Sequence, residues 1–187
     1  MARGQLVYIV GPSGAGKDAV IAHTRAMLAC RDGIAFAHRY ITRPVAAGDE
    51  NHIALSPGEF RQRARGGCFA LRWRSHHLEY GIGIEIDHWL ATGFTVIVNG
   101  SRAYLATARQ RYPDLQAVII TTSPALIEQR LRMRARDTGD EIAERLARNA
   151  ALNHRIADAF VIDNSGALPI VARALGAFIL GGRRRQQ

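Results

Sequence analysis

The chain has 187 residues, of which 48% are hydrophobic and 22% charged, and its formal net charge is +9. This composition is typical of one globular domain and excludes a disordered or fibrous chain. Two cysteines without metal or redox spacing exclude a disulfide framework and favour a reducing, cytoplasmic location. The first apolar run is too short for a leader, and Arg173 interrupts the last one, so we expect no membrane partner.

A glycine-rich segment follows the first predicted strand, at residues 6–10, and precedes a helical pattern at 16–30. Between a strand and a helix, such a segment binds phosphate through its N–H groups and the positive end of the helix. Lys17, the chain's only lysine, is placed to reach the β- and γ-phosphates. The expected nucleotide-binding residues are Gly11, Pro12, Ser13, Gly14, Ala15, Gly16, Lys17 and Asp18.

Asp18 departs from the common form of this motif, which ends in Ser or Thr and binds Mg²⁺ through the hydroxyl. A carboxylate also suits Mg²⁺, so Asp18 is a candidate metal ligand, either directly or through water. An acidic side chain in the first turn of a helix is equally favoured by the helix dipole without any ligand. The sequence leaves both interpretations open.

Further apolar runs predict a repeating order of strands and helices. This order indicates an α/β fold with a mostly parallel five-stranded sheet, covered by helices on both faces. The remaining strands are expected at 34–41, 94–98, 115–121 and 159–163. Helices are expected at about 85–92, 104–111, 124–135, 141–157 and 168–179.

Residues 42–83 interrupt this alternation and form the expected inserted lobe. Ser56, Pro57 and Glu59 predict a capped helix that ends near Arg65. A strand is expected at 68–75, with Arg72 and Arg74 on one face because side chains alternate along a strand. We expect a loop at 76–83. The whole chain is then one domain, with its core at about 1–41 and 84–187.

The order of motifs along nearly the whole chain resembles that of guanylate kinases and their relatives. The matching segments are residues 11–17, Thr42-Arg43-Pro44, Gly48-Asp49, Ser56 with Glu59-Phe60, Phe69, Tyr80-Gly81, Val96-Ile97-Val98 and Arg130-Leu131-Arg132-x-Arg134. The resemblance implies a P-loop fold of the nucleoside-monophosphate-kinase type. It also implies that 42–83 is a substrate lobe and that about 132–145 is an arginine-rich lid.

Several positions depart from the guanylate kinase pattern. Leu71 and Asn99 stand where that family has the Glu and Asp that recognise guanine, and His52 replaces a Tyr. Gly16-Lys17-Asp18, the run 69–73 and the run 98–102 instead resemble the ribose 1,5-bisphosphate phosphokinases of phosphonate utilisation. That resemblance implies transfer of the ATP γ-phosphoryl group to ribose 1,5-bisphosphate, with Mg²⁺ as cofactor and 5-phospho-α-D-ribose 1-diphosphate as product.

The resemblance also implies roles for basic residues, because guanidinium groups suit phosphate. The catalytic candidates are Lys17, Arg134 and Arg145, and Arg130 and Arg136 are candidates for binding ATP. The candidates for binding the acceptor are Arg39, Arg43, Arg72, Arg74, Tyr80, Asn99 and Arg102. Each arginine also fits a solvated surface, and Tyr80 also fits simple packing.

Two alternatives accompany this interpretation. The first is a guanylate kinase that phosphorylates GMP, which the replaced guanine contacts at Leu71 and Asn99 disfavour. The second is a nucleic-acid-binding or scaffold protein on the same fold, suggested by the net charge of +9. The intact Gly16-Lys17 pair favours a kinase with a small phosphosugar substrate and no nucleic-acid partner. We expect a monomer or homodimer.

Overall fold

The computed structural model describes residues 4–43, 52–75, 77–133 and 158–184, together with the single positions 139, 143, 146, 147, 149 and 156. The strands are β1 (Gln5–Val10), β2 (Ile34–Phe36), β3 (Arg39–Ile41), β4 (His52–Ala54), β5 (Phe69–Ser75), β6 (Leu78–Gly83), β7 (Thr95–Asn99), β8 (Gln116–Thr121) and β9 (Phe160–Asp163). The helices are α1 (Lys17–Met27), α2 (Pro57–Arg65), α3 (Glu85–Ala91), α4 (Leu105–Arg111), α5 (Pro124–Met133) and α6 (Leu168–Arg184). A 3₁₀ turn at Arg102–Tyr104 precedes α4.

The core is a five-stranded sheet with strand order β2-β7-β1-β8-β9, and every neighbouring pair is parallel. β1 and β7 are buried along their whole length, as expected for central strands covered on both faces. The predicted sheet is therefore confirmed, including its five strands. Because all strands run the same way, their carboxyl ends meet at one edge, where ligands bind in open α/β sheets.

Alternate side chains of the central strands pack into two separate apolar clusters. Leu6 and Tyr8 of β1 face a cluster that includes Ile86 of α3 and Leu105 of α4. Val7 and Ile9 face the opposite way, toward a second cluster that contains Val20 of α1 and Leu175 of α6. The period of two in β1 therefore supplies both faces of the core.

A second, four-stranded sheet has the order β4-β3-β6-β5. β3 pairs with β6 in antiparallel fashion and with β4 in parallel fashion, while β5 and β6 form an antiparallel pair. α2 begins at the predicted cap, because Ser56 accepts from the Glu59 N–H and the Glu59 carboxylate accepts from the Ser56 N–H. Phe60 of α2 stacks on Phe69 of β5, which attaches the helix to this sheet.

Two local predictions were wrong. The predicted strand 34–41 is two strands in different sheets, because the chain leaves β7 after Ala37, whose N–H still donates to Ile97, and then joins β6. The predicted loop 76–83 contains β6. Gly81 lies within β6, and the ring of Phe69 lies over it, so that an added Cβ would come within 2.6 Å of that ring.

No helix in the described part of the chain combines the length and the hydrophobicity that crossing a bilayer requires.

Candidate active site

The segment Gly11–Gly16 closes the carboxyl end of β1 and leads directly into α1. Gly14 and Gly16 have φ angles of 86° and 82°, in the left-handed region that favours glycine. A Cβ on Gly16 would also lie 2.6 Å from Asn164 Nδ2, so that position excludes any side chain. The backbone therefore adopts the curled path that the sequence predicted for a phosphate loop.

Lys17 lies over the first half of this loop. Its Nζ donates hydrogen bonds to the carbonyl oxygens of Gly11 at 2.9 Å and Pro12 at 3.0 Å. The ammonium group is thus positioned by the backbone that precedes it, beside the N-terminus of α1. Positive charge and the helix dipole are concentrated at one point, which is what a phosphate chain requires.

The other half of the loop is held by side chains from distant parts of the sequence. Asn164, which follows β9 and is buried, donates from Nδ2 to the carbonyl oxygen of Ala15 at 2.7 Å. Arg130 of α5 donates to the same oxygen at 3.3 Å and to the Asn164 carbonyl at 3.0 Å. Arg130, which the sequence predicted to bind ATP, therefore lies beside the phosphate loop, and its contact with the nucleotide stays a prediction.

Asn149 contacts the loop at Ser13. The Ser13 N–H donates to Asn149 Oδ1 at 3.2 Å, and Asn149 Nδ2 donates to the Ser13 carbonyl at 3.2 Å. The same Oδ1 accepts from Arg102 Nη2 at 2.6 Å. One amide thus connects the phosphate loop to the turn that follows β7.

Asp18 connects the phosphate loop to the second sheet. Its Oδ1 accepts from Arg39 Nη2 of β3 at 2.9 Å and from Asn99 Nδ2 at the end of β7 at 2.6 Å. The Arg39 side chain is 11% exposed and the Asp18 side chain 37% exposed. Three separate elements, α1, β3 and β7, therefore meet at one carboxylate oxygen.

These contacts keep Asp18 ionised. Burial raises the pKa of its carboxyl, but the charges of Arg39 and Lys17 and the hydrogen bonds from Arg39 and Asn99 outweigh burial and lower the pKa below its usual range. Burial also lowers the pKa of His52 on β4, and the charges of Arg43 and Arg39 lower it further, against the opposing charge of Asp18. Positive charge from Arg39 and Lys17 therefore acts on Asp18, and positive charge from Arg43 and Arg39 acts on His52.

Asn99 has an acceptor that the protein leaves open. Its side chain is buried, with 8% exposed, and Oδ1 has no hydrogen-bond partner among the described residues. The amide orientation is fixed, because only Nδ2 can donate to the ionised Asp18. A buried acceptor of this kind costs about 1–3 kcal/mol unless a donor reaches it.

Aromatic rings support Arg39 on its other side. The Arg39 guanidinium lies 6.0 Å from the centroid of the Tyr80 ring. Tyr80 stacks on Trp73 of β5 with a centroid distance of 5.5 Å, and Trp73 also stacks on Tyr104 at 5.7 Å. Tyr80 therefore packs within a stack of three rings that joins the second sheet to the turn after β7.

Arg72 and Arg74 lie on the other face of β5. Both are exposed, whereas Trp73 between them is buried toward Tyr80 and the core. They share one face, as predicted, but that face is opposite the one that carries Arg39. The structure does not bring them to the cluster around Asp18, and their assignment to the acceptor stays a prediction that this placement does not support.

Three predicted arginines, Arg134, Arg136 and Arg145, lie outside the described residues, as does most of the predicted lid. Arg43 is described, and its charge acts on His52 beside Arg39.

Sequence reasoning missed three residues that shape the site. Asn164 could have been found, because it is a polar residue directly after a strand of the parallel sheet. Asn149 gave no local signal, since its partner Ser13 lies 136 positions away. Tyr8 looked like part of a core strand, but its hydroxyl accepts from the Ser101 N–H at 3.0 Å and so fixes the turn that carries Arg102.

The donor set at Asp18 fits Mg²⁺. Both side-chain bonds use Oδ1, and carboxylate oxygens are ligands that Mg²⁺ accepts. Among the described residues, no group of three or more His, Cys, Asp or Glu side chains could hold a metal alone. The assignment of Asp18 as a Mg²⁺ ligand stays a prediction.

The chain is similar to proteins named "Ribose 1,5-bisphosphate phosphokinase PhnN". It is 48% identical over 175 residues to that of Thiobacillus denitrificans, covering 94% of this chain and 92% of the relative. It is 50% identical over 181 residues to that of Chromobacterium violaceum, covering 97% and 96%. With that of Laribacter hongkongensis it shares 50% identity over 176 residues but spans only 42% of that longer protein. No model of a protein family matches the chain.

Solved kinases share its fold. A guanylate kinase from Anaplasma phagocytophilum superposes with a TM-score of 0.68 at 14% identity, covering 100% of this chain and 88% of that one. A sugar kinase from Janibacter gives a TM-score of 0.52 at 18% identity, covering 95% of each chain. At such identities the likeness establishes the fold, and the predicted P-loop kinase architecture is confirmed.

Proposed function

The chain belongs to the ribose 1,5-bisphosphate phosphokinase family, and we propose that it transfers the γ-phosphoryl group of ATP to ribose 1,5-bisphosphate. The products are 5-phospho-α-D-ribose 1-diphosphate and ADP, in phosphonate utilisation as the sequence resemblance implies. The observation that carries the proposal is the contact of Asp18 with Arg39 and Asn99. It joins a phosphate loop to a neighbouring site that offers positive charge and one open acceptor, which suits a phosphorylated sugar.

The reaction requires little covalent chemistry from the protein. An anionic oxygen of the 1-phosphate forms a bond to the γ-phosphorus, while the bond from that phosphorus to the β,γ-bridging oxygen breaks. The electron pair of the broken bond leaves with ADP, and no proton moves. The protein therefore has to align two anions and offset their repulsion, and no general base is needed.

We assign ATP to the phosphate loop. The N–H groups of the loop, to which Pro12 contributes none, and the N-terminus of α1 surround the phosphate chain, and Lys17 turns from the Gly11 and Pro12 carbonyls toward it. Arg130 and Asn164 keep the loop in shape through the Ala15 carbonyl. Of the residues predicted to bind ATP, Arg136 lies outside the described residues and stays a prediction.

We assign the acceptor to the space beside Asp18. Arg39 and Arg43 supply positive charge for its phosphates, and the Asn99 Oδ1 accepts a hydrogen bond from one of its sugar hydroxyls. Tyr80 acts by packing against the Arg39 guanidinium. In this assignment residues 42–83 are the substrate lobe, and Arg134 and Arg145 in the lid stabilise charge during transfer.

Asp18 would hold Mg²⁺ through Oδ2, directly or through water. Bound there, Mg²⁺ would supply positive charge that offsets the charge of the phosphate chain. The protein's own part is to keep the carboxylate ionised and oriented, which Arg39 and Asn99 achieve through Oδ1. The expected cost of Asp18→Asn is therefore a higher Mg²⁺ requirement as well as a displaced Arg39.

An acceptor panel tests the proposal. Purified protein is given ATP and Mg²⁺ with ribose 1,5-bisphosphate, ribose 5-phosphate or GMP, and ADP release and the diphosphate product are measured. We expect product only with ribose 1,5-bisphosphate. Turnover with GMP alone would support the guanylate kinase alternative. Intact ATP binding without turnover on ribose 1,5-bisphosphate would overturn the proposal.

Two further measurements test the other partner predictions. Gel filtration distinguishes a monomer from a homodimer. A DNA- or RNA-binding role, suggested by the net charge of +9, requires a salt-dependent affinity, because bound phosphates release counterions. We propose a small phosphosugar as the substrate and no nucleic-acid partner.

A further inference from the structure

We propose that Asn149 is a positioning residue that holds Arg102 at the γ-phosphate end of the phosphate loop, where Arg102 contacts the phosphoryl group in transfer. This reassigns Arg102, which the sequence placed among residues that bind the stationary phosphates of the acceptor. The inference rests on the proposed function for the identity of the acceptor, but its geometry concerns only the nucleotide side of the site.

The contact of Asn149 with Ser13 is reciprocal. Asn149 Oδ1 accepts from the Ser13 N–H and Asn149 Nδ2 donates to the Ser13 carbonyl, both at 3.2 Å. A pair of bonds in opposite directions fixes both the position and the rotation of the amide plane. Asn149 is therefore oriented by the loop backbone, and whatever binds its Oδ1 is located relative to that backbone.

Ser13 lies at the end of the loop where the β- and γ-phosphates belong. The Lys17 ammonium, whose role is to reach those phosphates, contacts the carbonyl of Pro12, the residue next to Ser13. On the other half of the loop, the Ala15 carbonyl is occupied by Asn164 and Arg130. Asn149 therefore approaches the loop beside Lys17.

Arg102 reaches the same point from the end of β7. Its Nη2 donates to Asn149 Oδ1 at 2.6 Å, and its Nη1 lies 3.5 Å from the Asn149 carbonyl. The turn that carries Arg102 is attached to β1, because the Tyr8 hydroxyl accepts from the Ser101 N–H. The ring of Tyr8 lies so close to Gly100 that an added Cβ would be 2.1 Å away. The Arg102 residue is thus held at its guanidinium by Asn149 and at its backbone by the turn that Tyr8 anchors.

This position favours contact with the transferred group. Asn99, three residues before Arg102, lies at the acceptor side beside Asp18, while Asn149 ties Arg102 to the donor side. A guanidinium between the two sides offsets the charge that spreads over the γ-phosphoryl oxygens during transfer. An arginine guanidinium presents its N–H donors in a planar fork, which suits the oxygens of a phosphoryl group.

The side chain of Asn149 combines the functions that the position needs. It accepts from Arg102 and Ser13 and donates to Ser13 at the same time. Asn149→Asp retains the acceptors and places an oxygen against the Ser13 carbonyl. Asn149→Leu keeps the approximate size and removes all three bonds. Arg102→Met removes the guanidinium while keeping an unbranched side chain.

The first test compares nucleotide affinities and does not depend on the acceptor. We measure binding of ADP and of a non-hydrolysable ATP analogue with an imido β,γ bridge. Arg102→Met is expected to weaken the analogue by about 10-fold and ADP by less than about 2-fold, because only the analogue carries a γ-phosphoryl group. Equal affinities for the analogue in wild type and Arg102→Met would overturn the role of Arg102 even if ribose 1,5-bisphosphate proves to be the wrong acceptor.

The second test uses turnover with the acceptor on which the wild type is active. Arg102→Met is expected to lower kcat by about 10²-fold with little change in the acceptor KM, since the guanidinium contacts the γ-phosphoryl group of bound ATP and this contact strengthens in the transition state. Asn149→Leu is expected to lower kcat by about 10-fold, and Asn149→Asp is expected to give a kcat between those of wild type and Asn149→Leu. Combined with Arg102→Met, Asn149→Leu is expected to lower kcat no further. A raised acceptor KM at constant kcat, or additive effects in the double variant, would overturn the proposal.

Folding is checked in the same proteins. Arg61→Met, which removes an exposed arginine from α2, is the matched control for loss of one positive charge. Its turnover is expected to stay within about 2-fold of wild type. If Asn149→Leu lowers ADP affinity as strongly as analogue affinity, Asn149 only maintains the loop, and its positioning role is refuted.

Discussion

The two halves of the site are built differently. On the donor side, backbone conformation forms the site: Gly14 and Gly16 have positive φ, and Lys17 is positioned by the loop's own carbonyls. On the acceptor side, the second sheet reaches the loop through side chains, namely the ion pair of Arg39 with Asp18 and the stack of Tyr80 on Trp73. A backbone site for ATP can stay constant while a few side chains decide what is phosphorylated.

This difference explains how one fold serves several acceptors. The solved guanylate kinase and sugar kinase superpose on this chain at 14% and 18% identity. The phosphate loop depends on glycines and a lysine that can be retained at such distances. In the proposed function Asn99 and Arg39 lie on the acceptor side, and changing them should leave the donor loop intact. Variants on the two sides should therefore fail in different ways.

Lys17→Met should have the largest effect. Losing the ammonium group removes the charge placed beside the β- and γ-phosphates, and we expect turnover to fall by about 10³-fold. The thermal midpoint should change little, because the Lys17 side chain is only partly buried and its Nζ bonds to backbone carbonyls of the loop. Steady-state assay and thermal unfolding measure the two quantities. Turnover near the wild-type rate would remove Lys17 from the mechanism.

Trp73→Ala should lower the stability of the acceptor side while the donor side keeps its affinity for nucleotide. Trp73 is 8% exposed and stacks on both Tyr80 and Tyr104. Truncating a buried Trp costs about 3–5 kcal/mol in free energy of unfolding, and Trp73→Phe should cost about 1 kcal/mol. Urea unfolding measures both. In the folded fraction, the acceptor KM should rise while ADP affinity is retained; equal losses on both sides would mean that the halves are not independent.

The sequence predicted the donor side because its signals are local. The apolar run before Gly11 and the periodic pattern after Gly16 lie within 25 residues of each other, and the buried run 94–98 was found as β7 within one residue at each end. These patterns follow from the periods of strand and helix, which neighbouring residues are sufficient to define.

The acceptor side was predicted less well because its structure depends on long-range pairing. The alternation of side chains around Arg39 fits an extension of β2 as well as it fits a separate strand β3. No neighbouring residue indicates that β3 pairs with β6. β6 was not predicted, because the glycine at position 81 is explained by the ring of Phe69, which lies twelve residues away in the sequence. Asp18 and Asn99 were both singled out, but their hydrogen bond joins positions 81 residues apart and turns two separate candidates into one cluster.

Arg39→Met and Asp18→Asn should lower kcat/KM for the acceptor by about 10- to 100-fold each, since a charge-assisted hydrogen bond contributes about 1.5–3 kcal/mol. Because they share one contact, the double variant should be less impaired than the product of the single effects. ADP affinity should stay near wild type for Arg39→Met. Asp18→Asn should in addition require more Mg²⁺ for half-maximal rate, which a Mg²⁺ titration measures.

Asp18 should also give the smallest effect, a pH-dependent stability. Its pKa is lower in the folded protein than the value of about 3.9 in unfolded chains, so the folded state binds fewer protons there. The ion pair with Arg39 is then fully present above about pH 4 and is lost as pH falls through the folded pKa. Since Asp18 is 37% exposed, solvent screens the pair and the contribution should stay below about 1 kcal/mol.

Unfolding of wild type and Asp18→Asn by urea at pH 7, 5, 4 and 3 isolates this contribution, because every other carboxylate is common to both proteins. The difference in free energy of unfolding should be constant from pH 7 to pH 5 and should shrink below pH 4. A difference that grows as the pH falls would mean that burial, which raises the pKa of Asp18, outweighs Arg39 and Lys17. The ion pair would then no longer be what attaches the second sheet to the phosphate loop.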